Sequence, residues 1–139
     1  MQLERYTIIR TGTDDHKKRV GQGVAISLSE RATQAWKDAG GTYVSHSERV
    51  LSVRLRLENG YMYVVACYAP CNSRDPHDKH TLTFFEDLGR ALDKARRGDM
   101  VVVLGDLNAH VGTAGWRGDP VLGTFGPKAV SYTHLTLPT

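Results

Sequence analysis

The 139-residue chain is poor in cysteine, in long apolar runs and in net charge, and each shortage excludes something. Two cysteines cannot make a disulfide framework. Cys67 and Cys71 lie four apart in "VVACYAPCN". In extended chain their Cα atoms would be about 13 Å apart, too far to bridge. The spacing is also not the two-residue gap of a zinc or redox motif. Two reduced thiols in an intracellular protein are therefore expected. No apolar run approaches the roughly 20 residues of a membrane-spanning helix. "MQLERYTIIR" has no apolar h-region and does not read as a secretory signal. A formal charge of +3 and a pI of about 9.0 permit a polyanionic partner but are too mild to argue for one. No internal repeat or low-complexity stretch is visible.

What is present suits one globular domain or a piece of one, with 40% apolar and 24% charged residues. "YTIIR" (6–10) and "VAISLS" (24–29) read as short strands around the glycine-punctuated loop "GTDDHKKRVGQG" (12–23). "SERATQAWKDAGG" (29–41) reads as a helix capped by Ser29, with Ala32, Ala35, Trp36 and Ala39 on one face. In "ERVLSVRLRLENGYMYVVACYAP", Leu51, Val53, Leu55 and Leu57 alternate with Ser52, Arg54 and Arg56, so one strand face is expected buried and the other wet. "ENG" suits a tight hairpin, and the return strand 61–68 should lie deeper in the sheet. Pro70 ends it.

After the polar loop 72–80, "HTLTFFEDLGRALDKARRG" reads as a helix with a Leu82, Phe85, Leu88, Leu92 and Ala95 stripe, closed by Gly98. Its acids Glu86 and Asp87 precede Arg90, Lys94, Arg96 and Arg97, as the helix dipole favours. "MVVVLG" reads as a fully buried strand, and a long glycine-rich loop follows Asn108. The mixture of helices and strands with one hairpin indicates a layered α/β protein with a mixed sheet.

Two polar clusters sit at strand ends. In "GDLNAH", Asp106 and Asn108 are two apart, so in extended chain both point the same way. A carboxylate can hold or activate a water there, and an amide can orient a phosphoryl oxygen. An Asx turn explains the same residues without any chemistry. In "CYAPCN", Tyr68 and Asn72 could hydrogen-bond phosphate or sugar oxygens. They could equally be a core-edge tyrosine and a turn asparagine. Neighbouring strands would bring both clusters to one rim. "HKKR" (16–19) reads either as a nucleic-acid contact or nuclear signal, or as a solvated loop. His77, Asp78 and His80 hint at a metal site, although a polar loop entering a helix reads the same way. His110 would point away from the Asp106 side in extended chain, and His16 and His46 carry no partner motif.

"YAPCN", then a helix, then "VVLGDLNAHVG" resembles the endonuclease/exonuclease/phosphatase superfamily. The likeness is to endonuclease domains of retrotransposon-type reverse transcriptases and craniofacial-development-protein-2-like proteins. "GTDDHKKRVGQGVAI", "SERVLSVRLRL" and "WRGDPVLGTFGP" extend it over nearly all of residues 1–129. The resemblance implies part of a four-layer α/β sandwich, two mixed β-sheets face to face with outer helices. It implies magnesium-dependent phosphodiester cleavage by in-line water attack. Asp106 would activate the water, Asn108 would position the scissile phosphate, and Tyr68 would hydrogen-bond near it. Asn72 would belong to the substrate-facing loop.

The family's first-strand asparagine and metal-binding glutamate would lie upstream of Met1. Its final Asp-His pair would lie beyond Ala129, and neither His134 nor another histidine here matches it. The chain is therefore expected to be the central part of such a domain, from an intracellular or nuclear DNA-nicking retroelement enzyme with a reverse transcriptase in the same parent chain, and inactive as this fragment. A phosphatase of the same superfamily and a non-catalytic nucleic-acid-binding fragment stay open. A calcineurin-type phosphoesterase is disfavoured, because no "GNH" motif is present. Residues 130–139, "VSYTHLTLPT", back-translate to GTC TCT TAT ACA CAT CTG ACG CTG CCG ACG. That resembles a transposase-type sequencing adapter read in frame, so they are expected to be a non-native tail.

Overall fold

A computed structural model describes residues 5–12, 23–71 and 78–108. The loop 13–22, Asn72, His77, His16, His110, His134, the "HKKR" run, the glycine-rich stretch and the 130–139 tail all lie outside the described residues.

Strands β1 (Thr7–Arg10) and β2 (Ala25–Leu28) pair antiparallel as a ribbon. Helix α1 (Glu30–Asp38) follows. Strands β3 (Tyr43–Ser47), β4 (Val50–Leu57), β5 (Gly60–Tyr68) and β6 (Met100–Asp106) form one sheet in that order, with α2 (Lys79–Leu92) between β5 and β6. The first three strands are antiparallel, and β6 joins β5 parallel, so the sheet is mixed. The helix between β5 and β6 is the crossover that a parallel pair needs.

Alternation along β4 and β5 sends side chains to two cores. Leu51, Val53 and Val64 share one core cluster with Ile9 and Leu28 of the ribbon. Ala32 and Trp36 of α1 pack into that same cluster. Val50, Tyr63, Val65 and Cys67 face Phe84 and Ala91 of α2 on the other side. The molecule is an α/β protein with α2 as an outer helix. Among the described residues no helix is long and apolar enough to cross a membrane.

Local signals mostly held. Ser29 caps α1 by accepting from Ala32 N. Gly40 N and Gly41 N return hydrogen bonds to Lys37 O and Trp36 O, closing the helix as a Schellman pair. The β4–β5 hairpin closes on Leu57 and Gly60, so its loop is Glu58 and Asn59. Strand β5 is central and buried, as its sequence implies.

Four expectations are corrected. The second face of β4 is wet at Arg56 but not at Ser52. Ser52 is 1% exposed, because α2 covers that face and Ser52 has hydroxyl and imidazole partners. Helix α2 starts at Lys79 with Asp78 as its cap and ends at Leu92, short of Gly98. Asp99 draws the following turn onto β4 by accepting from Arg96 N and Arg54. The apolar stripe holds in part: Phe85, Leu88 and Ala95 pack against the core, but the fully buried positions are Phe84, Asp87 and Ala91, and Leu82 and Leu92 are exposed. The Tyr63 hydroxyl donates to Ala91 O at 2.9 Å, which seats the small Ala91 against the sheet.

Finally, β6 is not fully buried. Met100, Val101, Val103 and Leu104 are 43–55% exposed, because β6 is the outer strand of this sheet among the described residues. Edge strand β3 had no apolar alternation to announce it, and Tyr43 and Val44 are exposed.

Candidate functional site at the strand ends

The parallel β5–β6 register sets Tyr68 directly opposite Asp106. Both lie on the face that carries Met62 and Val64, because side chains alternate and paired residues share a face. Ala69 N continues the ladder by donating to Asp106 O at 2.8 Å. Tyr68 of one sequence cluster and Asp106 of the other therefore meet at one sheet edge.

Asn108 reaches that edge by a different route from the extended one. Its φ is +48°, a left-handed conformation that asparagine tolerates. Asn108 N donates to Asp106 Oδ1 at 2.8 Å, which is an Asx turn. The turn swings the Asn108 carboxamide back across β6, where Nδ2 donates to Ala69 O at 2.7 Å. The turn reading and the site reading are thus compatible: the turn is what holds Asn108 beside Tyr68. Asn108 Nδ2 also donates to Cys71 Sγ, a long contact at 3.9 Å between nitrogen and sulfur.

Three contributors had not been singled out. Arg49 pairs across the hairpin with Tyr68: Tyr68 N donates to Arg49 O at 3.0 Å. Arg49 Nη1 donates to Tyr68 O at 3.1 Å, and its guanidinium lies 5.4 Å from the Tyr68 ring centroid. Counting back from the "ENG" loop would have found this pair. Cys71 Sγ lies 3.7 Å from Tyr68 OH. That hydrogen bond and the thiol's charge push the Tyr68 phenol up from its usual value. Cys71 is free and exposed, whereas Cys67 is free and buried, and burial pushes its thiol up.

The third is Gly105, where the apolar run stops. Its φ is +151°, and a Cβ there would sit 1.8 Å from Cys67 O. Only glycine lets β6 approach β5 closely enough to deliver Asp106.

Asp78 of the proposed histidine cluster is occupied as the α2 cap, accepting from Thr81 N and Thr81 Oγ1 at 3.3 Å each. Among the described residues no group of three or more His, Cys, Asp or Glu could hold a metal ion. Among the described residues the rim's one carboxylate is Asp106, with Oδ1 engaged by Asn108 N. Magnesium needs near-octahedral oxygen ligation, so the described rim does not by itself fit that ion. A cavity of about 590 Å³, lined by Arg5, Tyr6, Ser29, Glu30, Arg31 and Gln34, shares no residue with the rim.

No protein-family model, curated protein or solved structure matches the chain.

Proposed function

We propose that the chain forms the phosphate-facing rim of a phosphodiesterase of the endonuclease/exonuclease/phosphatase kind, with DNA as substrate. One observation carries this reading: Tyr68 and Asp106 are opposed across parallel strands, and the Asn108 carboxamide is tied between them. The remaining oxygen of Asp106 is placed to hold or activate a water. The second Nδ2 hydrogen of Asn108 and the Tyr68 hydroxyl, whose present partner is the weakly accepting Cys71 sulfur at 3.9 and 3.7 Å, would turn to phosphoryl oxygens. Arg49 adds a cation beside Tyr68. The magnesium implied by the resemblance would need oxygen donors beyond Asp106. A retroelement setting, with a reverse transcriptase in the parent chain and an intracellular or nuclear location, belongs to the same proposal and rests on the resemblance alone.

The test compares a dinucleotide phosphodiester with a nucleoside monophosphate, binding each to wild type and to Asp106→Asn. The diester should bind in preference to the monoester. Asp106→Asn should tighten it severalfold, because a like charge beside the phosphate is removed. A preference for the monoester would favour a phosphatase. Binding indifferent to Asp106 and Tyr68 would refute the rim.

A further inference from the structure

A second cluster of chemistry lies at the other end of the sheet. The Arg56 guanidinium lies 4.8 Å from the Tyr61 ring centroid, and its Nη1 donates to Tyr61 OH at 2.7 Å. Arg56 is exposed, so its remaining N–H donors face solvent from a fixed plane.

The turn after α2 docks beside this pair. Arg54 Nη2 donates to Lys94 O and to Asp99 Oδ2, and Asp99 also accepts from Arg96 N. Arg56 is two residues further along the same face of β4, and the turn tied to Arg54 through Lys94 O and Asp99 carries Lys94, Arg96 and Arg97. All three are exposed.

The helix dipole does not account for them. Helix α2 ends at Leu92, and the basic residue of its last turn is Arg90. Nor do ion pairs. Asp99 is taken by Arg54, and among the described residues Arg56, Lys94, Arg96 and Arg97 form no ion pair. Four cations without an ion pair among the described residues, one of them stacked on the half-buried Tyr61, are a sequence-independent contact for a phosphate backbone.

We infer that the β4–β5 hairpin tip and the 94–97 turn bind a nucleic-acid backbone at a site separate from the Tyr68–Asp106 rim. Seven residue steps of β5 separate Tyr61 from Tyr68, about 23 Å. The two sites also lie on opposite faces of the sheet, since Tyr61 shares the face of Tyr63 and Tyr68 that of Val64. The patch therefore supplies affinity and orientation rather than chemistry. It takes only the partner's class, nucleic acid, from the proposed function.

The test is fluorescence anisotropy of a labelled DNA duplex with the full chain, from about 50 to about 200 mM salt. The Arg96→Gln/Arg97→Gln variant should lose close to two units of the salt slope, at about 0.9 per phosphate contact. Affinity at low salt should fall about tenfold or more. Arg56→Gln should remove a further unit. The Arg96→Gln/Arg97→Gln variant should still bind a dinucleotide phosphodiester at the rim as wild type does, so failure of the rim reading and failure of this one are read separately. An unchanged slope in the double variant would overturn the inference. So would wild-type binding to polyglutamate or anionic vesicles as tight as to DNA. Circular dichroism matching wild type confirms that the exposed substitutions leave the fold intact.

Discussion

Replacing Gly105 by alanine tests whether the strand-end geometry depends on close approach. A Cβ at Gly105 would lie 1.8 Å from Cys67 O, 2.8 Å from Cys67 C and 3.1 Å from Cys67 N. These are backbone atoms of the central strand, so no side chain can swing aside. The nearest contact must open past 3.0 Å, a shift of more than 1 Å in a ladder whose strands sit about 4.8 Å apart. The φ of +151° adds about 1–3 kcal/mol of strain for a residue with a side chain. Losing the Ala69 N to Asp106 O hydrogen bond adds about 1 kcal/mol. Gly105→Ala should therefore destabilise the fold by about 2–4 kcal/mol in urea titration. Amide exchange localises the effect: Ala69 N–H should lose protection, while the amides paired between β3 and β4 keep theirs. An unchanged urea midpoint with Ala69 still protected would refute the argument.

Three further outcomes are expected. Burial, with Lys94 of the turn after α2 and Arg90 of α2 outweighing Asp87, holds the His46 imidazole below its ordinary value while it pairs with Ser52 Oγ at 2.8 Å. The unfolded chain then binds the proton more readily, so stability is full above about pH 6.5 and falls as pH drops through it. His46→Gln should flatten that limb in pH-dependent melts. Arg54 and Asp99 form a largely buried pair, with side chains 15% and 4% exposed. Burial raises the Asp99 carboxyl, but the Arg96 N–H and Arg54 outweigh it and hold it below its usual range. Its stabilisation is present above the ordinary carboxylate pKa and is lost as pH falls through the depressed folded value. Asp99→Asn should cost about 3 kcal/mol in denaturant unfolding, since Arg54 keeps a buried charge without its partner. Lastly, the purified 139-residue chain should not nick supercoiled plasmid with magnesium, because one carboxylate stands at the described rim. Robust nicking abolished by Asp106→Asn would contradict that.

Local chemistry was legible where it is self-contained. Ser29 and the Gly40–Gly41 pair bound α1, and the Leu51, Val53 and Leu55 alternation marked the face that meets the ribbon. What depends on a distant partner was not. Ser52 and Arg54 looked solvated, because nothing local says that α2 will cover them. Two adjacent phenylalanines let α2 turn either way, and the choice of Phe84 follows the contact of Tyr63 with Ala91. At the rim, Tyr68 and Asp106 were marked by strand ends, and their adjacency followed once β5 and β6 paired. The extended-chain argument for Asn108 missed because a left-handed residue replaces the strand there. Arg49 was concealed by 19 residues of separation that the hairpin cancels.

The central claim is that Tyr68, Asp106 and Asn108 make one phosphate-facing edge. Its most direct measurement is a ¹H–¹⁵N titration of the chain with a dinucleotide phosphodiester. The account expects the Tyr68, Ala69, Asp106 and Asn108 amides to shift together on one binding curve, and Asn108→Ala to abolish the response. No shift at these amides at saturating diester, or shifts confined to residues away from the β5 and β6 ends, would contradict it.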